Sequence, residues 1–235
     1  QAPVIPRSQL VNIDRRKSFG KTFYLNQRTH GSCVGFATAG VLMRVRALAG
    51  YGFQRLSGAY VYSKINGGRD QGASIGDGLK AAKYGCALES EVPWDKIYQR
   101  DYPDSANKTA ERFQADEAYR VETYDEALTA IALGFIVAYA VHVGNTFDRL
   151  DANGVVGQDR GPGNHAVLAD GIKIINGKPY LWMFTSWSSP EGPHWGDDGY
   201  ALTGEAHWDG VYQDSFAVRS GSLDPQDETL PPEAK

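Results

Sequence analysis

The spacing of apolar residues changes near Gly134, and this change constrains the fold more than any other feature of the chain. From Cys33 onward, apolar residues recur every three or four positions, which is the pattern of one helix face. After Gly134 the chain contains continuous apolar runs, such as residues 135–143, which are typical of strands buried on both faces. We therefore expect a helical N-terminal half and a β-rich C-terminal half, that is, an α+β fold.

Three helices are predicted from periodicity and from end signals. The first begins at Cys33 and ends where glycines follow the last apolar position. The second covers residues 74–84 and is capped by Ser74. The third covers residues 125–133 and is capped by Asp125.

The second half of the chain predicts strands. Asn176-Gly177 is a dipeptide that favours a tight hairpin between two of them. Strands are expected at residues 135–143, 165–175, 178–187, 199–203 and 211–218.

The 235 residues are enough for one sizeable domain, which we place at residues 1–221. Residues 12–118 should form the helical part, and residues 119–221 together with the N-terminal arm should form the β-rich part. Residues 222–235 are rich in proline and acidic residues and are expected to be a mobile tail.

Composition excludes several classes of function. A formal net charge of −4 and the absence of a basic stripe argue against a nucleic-acid partner. No apolar stretch has the roughly 20 residues of a membrane-spanning helix, so no membrane partner is expected. His, Cys, Asp and Glu show no zinc-site spacing, so neither a metal nor another cofactor is expected.

Only two cysteines occur, which is too few for a disulfide framework. A reducing compartment such as the cytoplasm is compatible with that number but is not established by it. Cys86 is interpreted as a small buried hydrophobe. Cys33 lies at the predicted start of a buried helix, whose positive end lowers the pKa of a thiol. It is therefore the candidate nucleophile.

His165 is the candidate general base among the five histidines. It follows a flexible loop at residues 161–164 and opens an apolar strand, so it can face a cleft on a rigid backbone. A histidine at such a place can also serve only a local hydrogen bond, and its position alone leaves both interpretations open.

Gln27 precedes Cys33 by six positions, and its amide together with the Cys33 backbone N–H could stabilise an oxyanion. At this point the sequence resembles the papain-like (C1) cysteine peptidases, in particular their compact prokaryotic and phage branch. The resemblance runs from about residue 7 to residue 220. It rests on five motifs in order: Gln27 with Ser32-Cys33, residues 164–168, residues 176–180, Thr185-Ser186-Trp187, and residues 195–200. Separately, residues 72–80 and 83–85 are similar to the prokaryotic and phage branch.

The resemblance implies a two-lobed fold with an active-site cleft between a helical lobe and a β-barrel-like lobe. It implies a cysteine endopeptidase that acts on peptide or protein substrates through a Cys33 thiolate, a His165 imidazolium and an acyl-enzyme. Gly72 would present its backbone to an extended substrate, and Trp187 would shield the catalytic hydrogen bonds. By the same resemblance, Tyr139 and Asn164 would contribute to the pocket that selects a substrate side chain.

The sequence departs from the family pattern at three positions. Thr185 stands where the family has the asparagine that orients the imidazole, and its hydroxyl can still bond the ring. His30 stands where many relatives have a disulfide-forming cysteine, so that bridge is absent. Val34 replaces the usual tryptophan after the nucleophile, which changes the shape of the leaving-group side of the cleft.

Two alternative functions remain open at this level. The first is a degenerate peptidase with a binding or structural role, which the changes at Thr185 and Val34 favour. The second is acyl transfer to an amine, or side-chain amide hydrolysis, by a related Cys–His enzyme. Products separate the three: backbone scission indicates a peptidase, whereas loss of ammonia or a new isopeptide bond indicates a deamidase or a transferase.

Overall fold

The computed structural model describes residues 3–98, 102–115, 117–188, 195–209 and 214–219. The acidic tail expected at residues 222–235 lies outside these ranges, as do residues 211–213 of the last predicted strand.

Helices dominate the described residues before Gly134. They are α1 (Arg16–Phe19), α2 (Cys33–Leu48), α3 (Gly58–Ile65), α4 (Ile75–Tyr84), α5 (Asp104–Ala110), α6 (Tyr124–Ala132) and, late in the chain, α7 (Glu205–Asp209). The predictions for α2 and α4 are confirmed, and the Ser74 side chain caps α4 by accepting the Asp77 N–H. None of the described helices is long and apolar enough to span a membrane.

The cap predicted for α6 is wrong. Thr123, not Asp125, is the N-cap: its side chain accepts from the Glu126 backbone, and the Glu126 side chain accepts from the Thr123 backbone. This reciprocal pair satisfies two N–H groups of the helix end at once, whereas a cap at Asp125 would start the helix later. The short α3 was not predicted, because its residues from Gly58 to Ser63 are all buried and show no polar face.

Within the described ranges, six strands form one antiparallel sheet. They are β1 (Glu117–Val121), β2 (Ile136–Val141), β3 (His165–Ile175), β4 (Lys178–Phe184), β5 (Tyr200–Thr203) and β6 (Ser215–Arg219). The order across the sheet is β1-β6-β2-β3-β4-β5. The β-rich half is therefore an open sheet with β1 and β5 at its edges, rather than a closed barrel.

Both faces of the sheet are buried, as the continuous apolar runs predict. On one face, Leu168 and Phe184 join α2 in a core that extends through the helical half. On the opposite face, Val167 and Met183 pack with residues of α6. The approach of α2 is close: a Cβ at Gly40 would lie 2.8 Å from a Leu168 methyl carbon. The helix that begins with Cys33 thus lies directly on the strand that begins with His165.

The N-terminal arm contains short helical turns at Arg7–Gln9, Arg16–Phe19 and Lys21–Phe23. It runs along the β-rich half, where Ile13 pairs with Ile172. Arg7 forms ion pairs with Asp125 and Glu205 there.

A buried ion pair joins α2 to β3. Arg44 Nε lies 2.8 Å from Asp170 Oδ2, and both side chains are 0% exposed. Tyr200 donates its hydroxyl to the same carboxylate oxygen at 2.7 Å. The Arg44 guanidinium also lies 4.2 Å from the centroid of the Phe184 ring. These contacts compensate two charges that have lost their water, so the pair is sensitive to the loss of either partner.

We expect Arg44→Met and Asp170→Leu each to lower the free energy of unfolding by about 3–5 kcal/mol, because each leaves one uncompensated buried charge. The double variant should lose less than the sum, since no buried charge remains. Urea denaturation of the four proteins measures these differences. Arg120→Ala is the control, because Arg120 and its partner Glu122 are exposed and 3.8 Å apart. Strictly additive single losses would contradict the expectation.

Candidate active site

A cleft of about 980 Å³ lies between the helical half and the sheet. The helical half contributes Gln27, Cys33 and Gly72 to its lining, and the sheet side contributes His165 and Trp187. Residues that are far apart in sequence therefore meet on the two walls of one cleft.

Cys33 is the first residue of α2 and follows the N-cap Ser32. Its side chain is half-buried, and neither Cys33 nor Cys86 forms a disulfide. Burial raises the pKa of the Cys33 thiol, while hydrogen bonding to the backbone N–H groups of Ala166 and Val34 acts in the opposite direction. Cys33, His165 and Ala166 line the same cleft. Cys86 is fully buried, as expected.

His165 begins β3 and is 6% exposed. Its Nε2 shares a hydrogen bond of 2.7 Å with Thr185 Oγ1. The ring stacks on Trp187, with centroids 4.2 Å apart and an interplanar angle of 19°. Burial lowers the pKa of His165 to about 3. An isolated imidazolium is therefore disfavoured here, as an isolated thiolate is at Cys33.

Gln27 is held in a fixed orientation by both ends of its amide. Its Nε2 donates to the His30 carbonyl at 2.7 Å, and its Oε1 accepts from the Ser186 hydroxyl at 2.6 Å. Its backbone N–H also donates to the Ser186 carbonyl. Ser186 lies between Thr185 and Trp187, so one short segment contacts both Gln27 and His165.

An aromatic cluster covers the sheet side of the site. Trp187 makes edge contacts with Phe147 and Trp195, and the rings of Phe147 and Trp195 stack 5.1 Å apart. Trp195 is anchored by its indole N–H, which donates to Asp148 at 2.6 Å. The face of His165 that meets Trp187 is thereby closed to water.

Gly72 lines the cleft with a φ of +84°, a conformation that favours glycine. Its N–H already donates to the Tyr62 hydroxyl at 3.0 Å. Its carbonyl accepts no hydrogen bond from the part of the chain that the structure describes, and it is therefore the backbone group left for a ligand. Asn164 also lines the cleft, but its side-chain amide pairs with the backbone N–H and C=O of Val143. Its polar atoms thus serve to hold the loop before β3.

The prediction that Tyr139 contributes to the substrate pocket is wrong. Tyr139 is 1% exposed, and its hydroxyl bonds Thr203 at 2.6 Å within the core on the far face of the sheet. Side chains alternate between the two faces of a strand, so the neighbouring Ala140 faces the cleft instead. That alternation is visible in the sequence, but which face meets the cleft depends on the fold.

Two acidic residues of the cleft wall were not singled out from the sequence. Asp70 accepts the Gly31 N–H at 2.8 Å, and Asp214 accepts the Gly76 N–H at the start of α4 at 2.8 Å. A lone aspartate in a polar loop has no sequence signal that separates it from solvated charge. Within the described ranges, His, Cys, Asp and Glu form no group of three or more suited to a metal ion.

The reassignment from Tyr139 to Ala140 can be tested by labelling Cys33 with fluorescein iodoacetamide. Tyr139→Phe should leave the labelling rate unchanged and lower the free energy of unfolding by about 1 kcal/mol, the value of one lost hydrogen bond. Ala140→Leu should slow labelling several-fold, because the larger side chain narrows the cleft. Slower labelling in Tyr139→Phe alone would contradict the reassignment.

The whole arrangement can be compared with solved structures. Bromelain protease from Ananas comosus is 21% identical, with a TM-score of 0.72, over 92% of this chain and 100% of that chain. Xylellain, a cysteine protease from Xylella fastidiosa, is 19% identical with a TM-score of 0.69, over 85% and 83%. Digestive procathepsin L 3 of Tenebrio molitor is 19% identical with a TM-score of 0.69, over 94% and 74%. At these identities the likeness shows a papain-like fold.

A family model extends the comparison from fold to sequence. The model described as papain family cysteine protease matches residues 11–214, which include both walls of the cleft. The chain therefore belongs to the papain family of cysteine proteases.

Proposed function

We propose that the protein is a cysteine endopeptidase in which Cys33 is the nucleophile and His165 is the general base. One observation carries the proposal: Cys33 begins a helix and lines the same cleft as His165, which Thr185 holds in a fixed orientation. The family membership supports peptide-bond hydrolysis in general, and the residue roles are the part proposed here.

The two groups ionise together. Burial disfavours a lone charge on either one, because it raises the thiol pKa and lowers the imidazole pKa. Transfer of the proton from Sγ to the ring leaves a thiolate and an imidazolium with no net buried charge, and their attraction offsets the two desolvation costs. The N-terminus of α2 further stabilises the thiolate.

The reaction would proceed through an acyl-enzyme. The thiolate attacks the carbonyl carbon, the carbon–sulfur bond forms, and the oxygen becomes an anion. The His165 imidazolium then protonates the leaving amine, which departs as the carbon–nitrogen bond breaks. His165 next takes a proton from water, the hydroxide attacks the thioester, and the thiol is regenerated with release of the acid.

The oxyanion would be held by the Cys33 backbone N–H and the Gln27 amide. The Gln27 NH₂ group has two hydrogens, and the His30 carbonyl uses one of them. The other is available for the developing negative charge. Because Ser186 fixes the opposite end of the amide, little reorganisation is needed in the transition state.

Thr185 would act as a positioning residue. When Nε2 donates to the Thr185 hydroxyl, Nδ1 carries the lone pair that a base needs. Threonine reaches the ring directly here, at 2.7 Å and fully buried, so its shorter side chain does not prevent the contact.

The substrate would be an extended peptide lying along the cleft. The Gly72 carbonyl can accept a substrate N–H, as in the addition of a strand. The opposite wall, on the sheet side, is apolar and includes Ala140 and Val143. This wall offers space to the substrate rather than a specific polar contact.

Replacement of Cys33 by alanine should abolish cleavage of fluorescein-labelled casein, because no nucleophile remains, while far-UV circular dichroism stays unchanged. Cys86→Ala is the matched control and should cleave casein like the unmodified chain. Substantial cleavage by the Cys33→Ala protein would sink the proposal.

The same dyad can be tested through the pH dependence of alkylation by iodoacetamide, read by peptide mass spectrometry. Cys33 should react rapidly near pH 6. His165→Ala should slow it there by about tenfold or more, because an unpaired free thiol ionises only near pH 8.5 and burial raises the thiol pKa further. If Cys33 of the unmodified chain reacts only near that pH, the degenerate binding protein becomes the better interpretation.

Thr185→Val should lower kcat/KM for casein by about 10–100-fold, since the imidazole loses its orienting partner while side-chain volume is kept. Thr185→Ser, which retains the hydroxyl, should stay close to the unmodified enzyme. Equal activity of the valine and serine variants would show that the hydroxyl does not orient His165.

A further inference from the structure

Three segments of the helical half meet at the carboxylate of Asp70. Its Oδ1 accepts the Gly31 N–H at 2.8 Å and the Tyr62 hydroxyl at 3.0 Å. Its Oδ2 lies 3.4 Å from His30 Nδ1. The Asp70 side chain is only 21% exposed, so these contacts are partly shielded from water.

The network continues from Asp70 through Tyr62 to Gly72, on the helical wall of the cleft. Tyr62, which is fully buried on α3, donates to Asp70 and accepts the Gly72 N–H at 3.0 Å. Hydrogen bonds in such a chain polarise one another and strengthen the whole. The segments are also packed closely, since a Cβ at Gly31 would lie 3.1 Å from Asp70 Oδ1 and 3.3 Å from the Gly72 nitrogen.

The network joins the segment before Cys33 to the segment that carries Gly72. A bound peptide would need these two parts of the cleft to be correctly aligned with each other. Gly31 lies two positions before Cys33, and Gly72 lies on the wall that would pair with the substrate backbone. Asp70 spans 39 residues of sequence to reach Gly31. Both cysteines of the chain are free, so no disulfide performs this connection.

We propose that Asp70 is a positioning residue that holds the nucleophile loop and the Gly72 wall in one fixed geometry through Gly31 and Tyr62. The proposal rests on the proposed function of Cys33. Asp70 does not touch the reacting atoms; it acts through the backbone of Gly31 and the hydroxyl of Tyr62.

The charge of Asp70 provides a readout that a purely structural residue would lack. Its negative charge raises the pKa of the Cys33 thiol, in addition to the larger effect of burial. Tyr62 on α3 lies near this thiol, His165 on β3 and Asp214 line the same cleft, and His30 lies beside Asp70 itself. Asp70→Asn keeps the size and an acceptor oxygen but removes the charge, so it should shift Cys33 alkylation to lower pH.

The variants separate the two effects. Asp70→Ala and Tyr62→Phe should each lower kcat/KM for fluorescein-labelled casein by about tenfold or more, because small displacements of a reacting group are costly. For Tyr62→Phe the change should lie mainly in KM, since it frees Gly72 and alters no charge, and its alkylation profile should be unchanged. Asp151→Asn is the control: Asp151 also accepts two backbone N–H groups, from Asn153 and Val155, on a loop outside the cleft lining.

Two results would overturn the proposal. The first is that both Asp70→Ala and Tyr62→Phe have a kcat/KM within about twofold of that of the control. The proposal expects a loss of about tenfold, because the reacting groups would be misplaced. The other is an Asp70→Asn alkylation profile that coincides with that of the unmodified chain. If the unmodified chain does not cleave casein at all, the proposed function fails by itself. The alkylation comparison, which needs no substrate, still decides whether Asp70 acts on Cys33.

Discussion

The buried pair of Arg44 and Asp170 is the contact on which the geometry of the cleft depends. Arg44 lies about three turns along the helix that begins with Cys33, and Asp170 lies on the strand that begins with His165. Hydrophobic packing of α2 on the sheet is strong but not directional, so it would tolerate sliding of the helix. A charge pair with fixed hydrogen-bond directions does not tolerate such sliding, and it therefore sets the helix on the strand in one register.

A second aspartate acts at the other end of the same helix. Asp70 binds the Gly31 backbone just before Cys33, while Asp170 binds Arg44 further along α2. The helix is thus held at its start by the loop that carries Gly72 and in its later turns by the sheet. With α2 held at both places, Cys33 keeps its position in the cleft that His165 also lines, as the proposed joint ionisation of the two groups requires. Gln27 and His165 are fixed in turn by Ser186 and Thr185, which are neighbours in the chain.

The sequence was sufficient for the class of each half, the start of α2 at Cys33 and the strand that begins with His165, because these depend on local periodicity and turn residues. It was insufficient where a residue's environment depends on tertiary contacts. Tyr139 was assigned to the wrong face because alternation along β2 is visible in the sequence while the identity of the cleft-facing side is not. Asp70 was not recognised because its partners, Gly31 and Tyr62, become neighbours only when the chain is folded.

Both cysteines are free, and this determines how the protein responds to oxidants and reductants in the solvent. A thiol nucleophile works only while it is reduced, whereas a scaffold held by disulfides is stable only while it is oxidised. A protein that combines a thiol nucleophile with a disulfide scaffold needs disulfide bonds that resist the reductant that its active site requires. In this chain hydrogen bonds and a buried ion pair connect the segments, so the scaffold has no redox-sensitive bond. A change in the redox state of the solvent would then switch the proposed nucleophile, Cys33, off or on without unfolding the cleft around it.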